Sequence, residues 1–411
     1  MQSTHIKSRD LSLNGIRGLA AFMVFLYHLR WIAGEPKLMV GGLNWMLVLS
    51  RFDIGVCLFF VLSGYLLSGP FWEGALTGRW PNLERYAIRR LARILPAYWC
   101  VLIVFAVLSQ TSYSMWGAIA LTLQTLGIHT FSDYTYHGIV PVLWSIGIEI
   151  QYYALLPLLF LAAAFLSRRS RWIAPLALTA LIAVSGVLWQ AGVSLLVGHV
   201  PGKILPSASS MVITESVFHY LKWFGIGIAA AGIVKYSPWV RKWKPLHWDL
   251  ATCLSIAGIV LAIASSSKGE WRRVSLAGWP LSALACGFLV FAAPRSRLAI
   301  AVFEHSIMRF MGSISYGVYL WHRPVLKAVF GGTLPARLGP VSAFFIGGAI
   351  GFFVTVAIAW LVHVVVERPA ILWATQQRGI ADAVRSIRVW FSLSDRDNAL
   401  ASSASASGRA S

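Results

Sequence analysis

The chain has 411 residues, of which 57% are hydrophobic and only 12% charged, and its mean hydropathy is +0.68. A soluble domain carries about a quarter charged residues, so this composition excludes an ordinary water-soluble enzyme and points to an all-α, polytopic integral membrane protein. The net charge of +20 does not indicate nucleic acid, because the cations sit in short loops between apolar runs, as cytoplasmic loops do.

Apolar runs long enough to cross a bilayer recur at about ten places: 13–33, 53–72, 94–110, 142–166, 173–192, 212–233, 250–266, 276–293, 314–331 and 341–364. The segment 113–130 is apolar too, and counting it as a span inverts every later loop. Left out, it places the arginines of 79–93, those of 168–171, the lysines and arginine of 235–244, and Arg295, Arg297 and Arg309 on one side. That asymmetry fixes the expected topology: about ten transmembrane helices, both termini cytoplasmic, and 113–130 a re-entrant or interfacial helix. The first span has no small-residue cleavage site, so no removable signal peptide is expected. Cys57, Cys100, Cys253 and Cys286 fall in or beside apolar segments without metal-ligand spacing, which predicts inert thiols, no disulfide framework and no metal. Residues 1–370 read as one membrane domain. Residues 371–411 read as a cytoplasmic tail, with a basic amphipathic helix over 380–394 and Ala/Ser-rich disorder over 399–411. No internal repeat stands out, which weighs against inverted-repeat transporters.

The first run, LNGIRGLAAFMVFLYHLRWIA, carries Arg17 and His28. Ionisable groups at membrane depth are costly and mark ligand or proton pathways. Eleven residues return to within about 20° of one helix face and rise about 16 Å. One face therefore offers a cation at one level and an imidazole deeper in, which suits a long ligand with an anionic head and a reactive tail.

Four arginines and no lysine occupy the next polar stretch, RYAIRRLARILPAYW at 85–99. Arg90 and Arg93, three apart, share a face as the third span begins, and so do Arg89 and Arg93. Topology needs only charge, whereas guanidinium forks grip phosphates bidentately; both readings stand at this point. In LWSIGIEIQYYALLPLL, residues 143–159, Glu149 lies inside the fourth span at a depth matching His28, as an acid–base pair requires. A structural role, with hydrogen bonds to Ser145 or to tyrosines, is the alternative. Glu215, His219 and Lys222 share a face at i, i+4, i+7 and are expected to neutralise one another, with Glu215 and His219 near enough to the outer side to touch an acceptor. His322, followed by Arg323 in SYGVYLWHRP, either lines the same cavity or bonds a neighbouring helix.

LNGIRGLAAFMVFLYH, DIGVCLFFVLSGYLL, RRLARILPAYW, LWSIGIEIQYYALLP, SYGVYLWHRP and VVERPA resemble, in order and spacing, the motifs of the membrane acyltransferase 3 family over about residues 10–370. The resemblance implies a ten-helix enzyme of a bacterial cytoplasmic (inner) membrane. It would move an acyl group, commonly acetyl, from cytoplasmic acyl-CoA to a hydroxyl, with no permanently bound cofactor. It puts the family's arginine–ten–histidine motif on Arg17 and His28, its R-x-x-R motif on Arg90 and Arg93, and its embedded glutamate on Glu149. Position 150 is Ile where the family often has a second glutamate, and position 14 is Asn where it often has Asp. No fused esterase-like domain follows the last span, so acceptor handling is expected to use this domain or a separate protein.

Joined to the residues, the resemblance implies a mechanism. CoA phosphates dock on Arg90 and Arg93 with Arg17, the pantetheine arm reaches His28, and His28 deprotonates the acceptor while Glu149 orients its ring. Ser145, Glu215, His219 and His322 are the expected cavity lining. The expected acceptor is exopolysaccharide, O-antigen or lipid-linked oligosaccharide, with a secreted natural product such as a macrolide as the alternative. A glycan or lipid exporter, or an acyl-CoA-binding protein without transfer activity, are the rivals from other classes.

Overall fold

The computed structural model describes residues 2–41, 43–108, 114–167, 215–265, 278–331 and 338–382, with Val384 and isolated positions between 182 and 212. In chain order the described elements are α1 (Gln2–Ile32), β1 (Met39–Val40), β2 (Leu43–Asn44), α2 (Met46–Leu49), α3 (Ile54–Thr77) and α4 (Leu83–Leu108). Then come α5 (Met115–Thr125), α6 (Trp144–Ser167), α7 (Val217–Tyr236), α8 (Pro245–Ser265) and α9 (Gly278–Ala292). The last are α10 (Arg297–Phe303), α11 (Ser306–Ser313), α12 (Ser315–Phe330), α13 (Pro340–Val362) and α14 (Arg368–Gln376). Among the described residues the architecture is helical apart from one small ladder, in which β1 runs antiparallel to β2 with Met39 opposite Asn44.

Six helical stretches among the described residues are long and apolar enough to cross a membrane, and the bent pair Leu281–Ala292 and Arg297–Phe303, at 91°, makes up to seven. The expected run 13–33 lies inside α1, which is long enough but is not among them; Arg17, His28 and Arg30 interrupt it. The run 314–331 corresponds to α12, only 16 residues long. Most of the run 173–192 lies outside the described residues, as does nearly all of the expected tail helix. At about 1.5 Å per residue, the 11 residues of α5 reach about 16 Å, roughly half a hydrocarbon core. Segment 113–130 therefore does not cross as one helix.

Hydroxyl side chains start several helices where they satisfy orphan backbone donors. Ser114 Oγ accepts from Gly117 N ahead of α5, and Ser216 Oγ accepts from His219 N ahead of α7. α3 stops at Gly78, whose φ of 78° is the left-handed end that glycine tolerates.

The site is positioned by α1, α3, α6 and α12, which pack on one another around a shared interior. α7 backs α3 across a close crossing: a Cβ at Gly64 would meet the backbone carbonyl of Phe224, and one at Gly227 that of Val61. Only hydrogen at both positions lets two backbones come that near. Tyr152 of α6 stacks on Phe224 with ring centroids 3.8 Å apart, and together with Phe60, Leu156 and Phe160 it fills a buried cluster that fixes α6 against α3 and α7. α1 meets α12 through Ala21, Ile314 and Val318, with Ala359 of α13 behind them.

Candidate active site

Three cavities stand in file through the bundle. The first, about 460 Å³, is lined by Arg17, Arg90, Arg93, Asn14, Ser63 and Tyr153. The second is a throat of about 40 Å³ between Arg17, Ser63, Ser145, Glu149, Tyr316 and Tyr319. The third, about 790 Å³, holds His28, Tyr27, Trp31, Asp53, Glu215, Trp223 and Arg323. Arg17 and Ser63 line both the first and the second, and Val56 and Tyr319 line both the second and the third. The arginine chamber and the histidine chamber are thus two ends of one passage.

The arginine chamber gathers the three guanidinium groups that the sequence motifs single out. α4 turns Arg90 and Arg93 onto one face, as their spacing requires, and α1 brings Arg17 opposite them; Arg89 is exposed. The Nε atoms of Arg17 and Arg90 are buried and have no hydrogen-bond partner among the described residues. A buried donor left unpaired costs about 1–3 kcal/mol, so these atoms are arranged for an acceptor that is not part of the chain. Anionic oxygens fit them.

Glu149 sits in the throat. Its Oε1 accepts from Ser63 Oγ at 2.5 Å and from Tyr153 OH at 2.6 Å. These two hydroxyls hold the carboxylate next to the arginine chamber. Across the throat, Ser145 Oγ and Tyr319 OH are 2.6 Å apart, and the tyrosine also donates to Val142 O at 3.1 Å.

His28 has a different partner from the one its depth predicted. Its Nδ1 lies 3.0 Å from His322 Nε2 and 3.1 Å from Val24 O, while His322 Nδ1 lies 3.1 Å from Val318 O. A carbonyl only accepts, so His322 carries its proton on Nδ1 and presents a lone pair at Nε2. His28 then donates from Nδ1, which leaves its own Nε2 as the basic nitrogen. The ring-orienting contact expected from Glu149 is therefore made by His322, because α12 rather than α6 flanks this part of α1. Around the chamber, Arg323 lies over the Trp31 ring at 4.9 Å. His137, in the loop ahead of α6, reaches the same chamber; burial holds its imidazole below the usual value.

The expected Glu215–His219–Lys222 face does not form as one helical stripe. Ser216 caps α7, which leaves Glu215 one residue outside the helix. There its carboxylate takes the Tyr220 hydroxyl and its carbonyl accepts from Tyr136 OH at 2.8 Å. Lys222 Nζ instead meets His219 Nε2 at 3.0 Å. Glu215 lines the histidine chamber, and His219 does not. Ser63, Tyr153 and Tyr319 are the site residues that the motifs did not single out. Helical spacing was the available signal, since Tyr153 is i+4 from Glu149 and Tyr319 is i−3 from His322.

The family model described as an acyltransferase domain (acyltransferase 3) matches residues 10–364, and the chain belongs to that family. It is 28% identical over 335 residues to the peptidoglycan O-acetyltransferase OatA of Listeria monocytogenes, covering 77% of this chain and 49% of that protein. It is 25% identical over 333 residues to the candidate peptidoglycan O-acetyltransferase YrhL of Bacillus subtilis, covering 76% and 48%. To the candidate membrane-bound transacylase BcsY of Komagataeibacter xylinus it is 24% identical over 351 residues, covering 77% and 73%. The chain spans about half the length of the first two relatives. No solved structure matches it.

Proposed function

We propose that the chain transfers an acyl group, acetyl foremost, from cytoplasmic acyl-CoA to a hydroxyl of a glycan beyond the membrane. The reading places it in a bacterial inner membrane with ten spans and both termini cytoplasmic. The observation that carries it is the passage itself, which runs from orphaned guanidinium donors on Arg17 and Arg90 to His28. Phosphates sit among Arg17, Arg90 and Arg93, where planar forks bind them bidentately. The pantetheine arm runs through the throat between the two chambers.

At the histidine chamber the acceptor hydroxyl gives its proton to His28 Nε2 as its oxygen attacks the thioester carbonyl. The tetrahedral intermediate collapses, the C–S bond breaks, and the imidazolium returns its proton to the departing thiolate. The products are the ester and free CoA. While His28 is charged, its Nδ1–H donates to the neutral His322 Nε2, which holds the ring in place. Glu149 acts at the throat, where it offsets the charge of Arg17. Trp31, Trp144, Trp223 and Tyr220 give the acceptor flat apolar walls with polar groups set between them.

Detergent-purified protein given acetyl-CoA and oligosaccharide acceptors tests the proposal. Wild type should release CoA in step with ester formation, and His28→Ala should bind donor without transfer. Donor binding with no ester formed on any hydroxyl acceptor would instead mark an acyl-CoA-binding protein.

A further inference from the structure

A fourth cavity, about 760 Å³, lies beside the arginine chamber and is unused by the mechanism above. Its walls come from the end of α7, the turn that follows it, the start of α8, and Pro294 and Arg295 after α9. Leu13 lines it and the arginine chamber alike, so the two open on either side of one α1 residue. Its volume lies within the range of small-molecule sites. Lys235, Arg241 and Arg295 supply three cations, and two tryptophans supply ring faces.

Trp248 and Arg295 are fixed by packing at the back of the recess, while Lys235 and Arg241 are exposed at its rim, where Lys235 Nζ also pairs with Glu73 Oε2 at 3.0 Å. Trp248 is buried, with the Arg295 guanidinium 5.2 Å from its ring and the Trp243 ring 4.9 Å from it. Arg241 Nη2 donates to Lys235 O at 3.0 Å, which ties the turn to the end of α7. Plain topological bias asks only for cations in a loop. It does not ask for two tryptophans and three cations around one recess. A flat aromatic beside guanidinium groups is what a nucleobase carrying phosphate requires.

We infer that the cavity among Lys235, Arg241, Trp243, Trp248 and Arg295 holds the nucleotide end of the donor. Adenine lies against Trp243, and the ribose 3′-phosphate lies on Lys235, Arg241 and Arg295. The inference rests on the acyl-CoA reading of the preceding section. The division follows from charge. The pyrophosphate sits on the three arginines of the first chamber, and the 3′-phosphate, which bears about −1.5 to −2 at neutral pH, needs cations of its own. A bulky nucleotide parked there leaves only the slender arm to enter the throat.

The test compares acetyl-CoA with its 3′-dephospho analogue, measuring Kd for each on full-length, detergent-purified protein. Wild type should bind acetyl-CoA roughly tenfold or more tighter than the analogue, the worth of a charge-assisted hydrogen bond. In Lys235→Gln/Arg241→Gln the two affinities should converge, and Arg241→Lys should keep most of the preference. Trp243→Ala should weaken both ligands about tenfold, as loss of one stacked base does. Arg90→Lys/Arg93→Lys should weaken both ligands and leave their ratio unchanged. A wild type without 3′-phosphate preference overturns the inference, with no variant needed. So does a preference that survives every change in the second cavity, as it would if an anionic lipid headgroup filled the recess. Wild type that binds no acyl-CoA at all sinks the donor reading instead, so the two failures are told apart.

Discussion

His322 Nε2 stands 3.0 Å from His28 Nδ1, so an imidazole rather than a carboxylate orients the His28 ring. A neutral acceptor at that position fixes which nitrogen of His28 stays unprotonated. It also lets His28 gain a proton without a buried counter-charge beside it. The two roles predict different kinetic signatures. His28→Ala should lower kcat by about 10²–10⁴-fold, the usual worth of a general base, with acyl-CoA affinity retained. His322→Leu should lower kcat by a smaller factor at unchanged KM for the donor, and His322→Gln, whose amide oxygen also accepts, should recover part of the loss. Equal loss of donor binding and turnover in all three variants would make the pair a packing contact.

Glu149 lies in the throat, beside the arginine chamber. Its two donors, Ser63 and Tyr153, lie on α3 and one turn along α6, and His28 is in the next chamber. Glu149→Gln should therefore combine with Tyr153→Phe non-additively, because one change weakens the acceptor and the other removes the donor of the same hydrogen bond. With His322→Leu it should combine close to additively, within about 0.5 kcal/mol. Strong coupling between Glu149→Gln and His322→Leu would restore the direct carboxylate–imidazole link that the sequence suggested.

Arg90 and Arg93 test the donor dock. Lysine keeps the charge and loses the planar fork, so Arg90→Lys and Arg93→Lys should each weaken acetyl-CoA binding about tenfold, with membrane topology unchanged. Equilibrium binding on the purified variants, with cysteine accessibility of the neighbouring loop as the topology control, separates the two roles. Wild-type affinity in the double variant would assign the pair to topology alone.

What the sequence made legible follows from periodicity. The pairs Arg90–Arg93 and Arg17–His28 each lie within one helix, where 3.6 residues per turn decides which side chains share a face. The arginine chamber was readable for that reason. The His28–His322 contact joins residues 294 apart, and equal depth in a membrane cannot say which helix stands beside which. Glu149 and His322 were both at plausible depth, and only the packing of α12 against α1 chooses between them. The stripe of Glu215, His219 and Lys222 failed for a local reason: Ser216 is a better cap than a helix interior residue, and it starts α7 after Glu215. The second basic cavity was invisible as a site, since its cations read as loop charge until the fold placed two tryptophans among them.

The crossing of α3 and α7 gives a prediction about stability alone. Gly64 and Gly227 let the two backbones approach so closely that a Cβ on either would meet a carbonyl of the other helix. A backbone atom cannot swing aside as a side-chain tip can, so the helices must part. Overpacking of this kind costs about 1–3 kcal/mol, and it acts on the helix that carries Ser63 and Val56 to the passage. Gly69 is on the same helix, and a Cβ there meets nothing within 4 Å. Gly69→Ala should thus be neutral or stabilising, since alanine is the better helix former by up to about 1 kcal/mol. Thermal unfolding in detergent should show Gly64→Ala and Gly227→Ala several degrees below wild type and Gly69→Ala at or above it. Should Gly64→Ala melt with the wild type, the close crossing of α3 and α7 is not how the two helices pack.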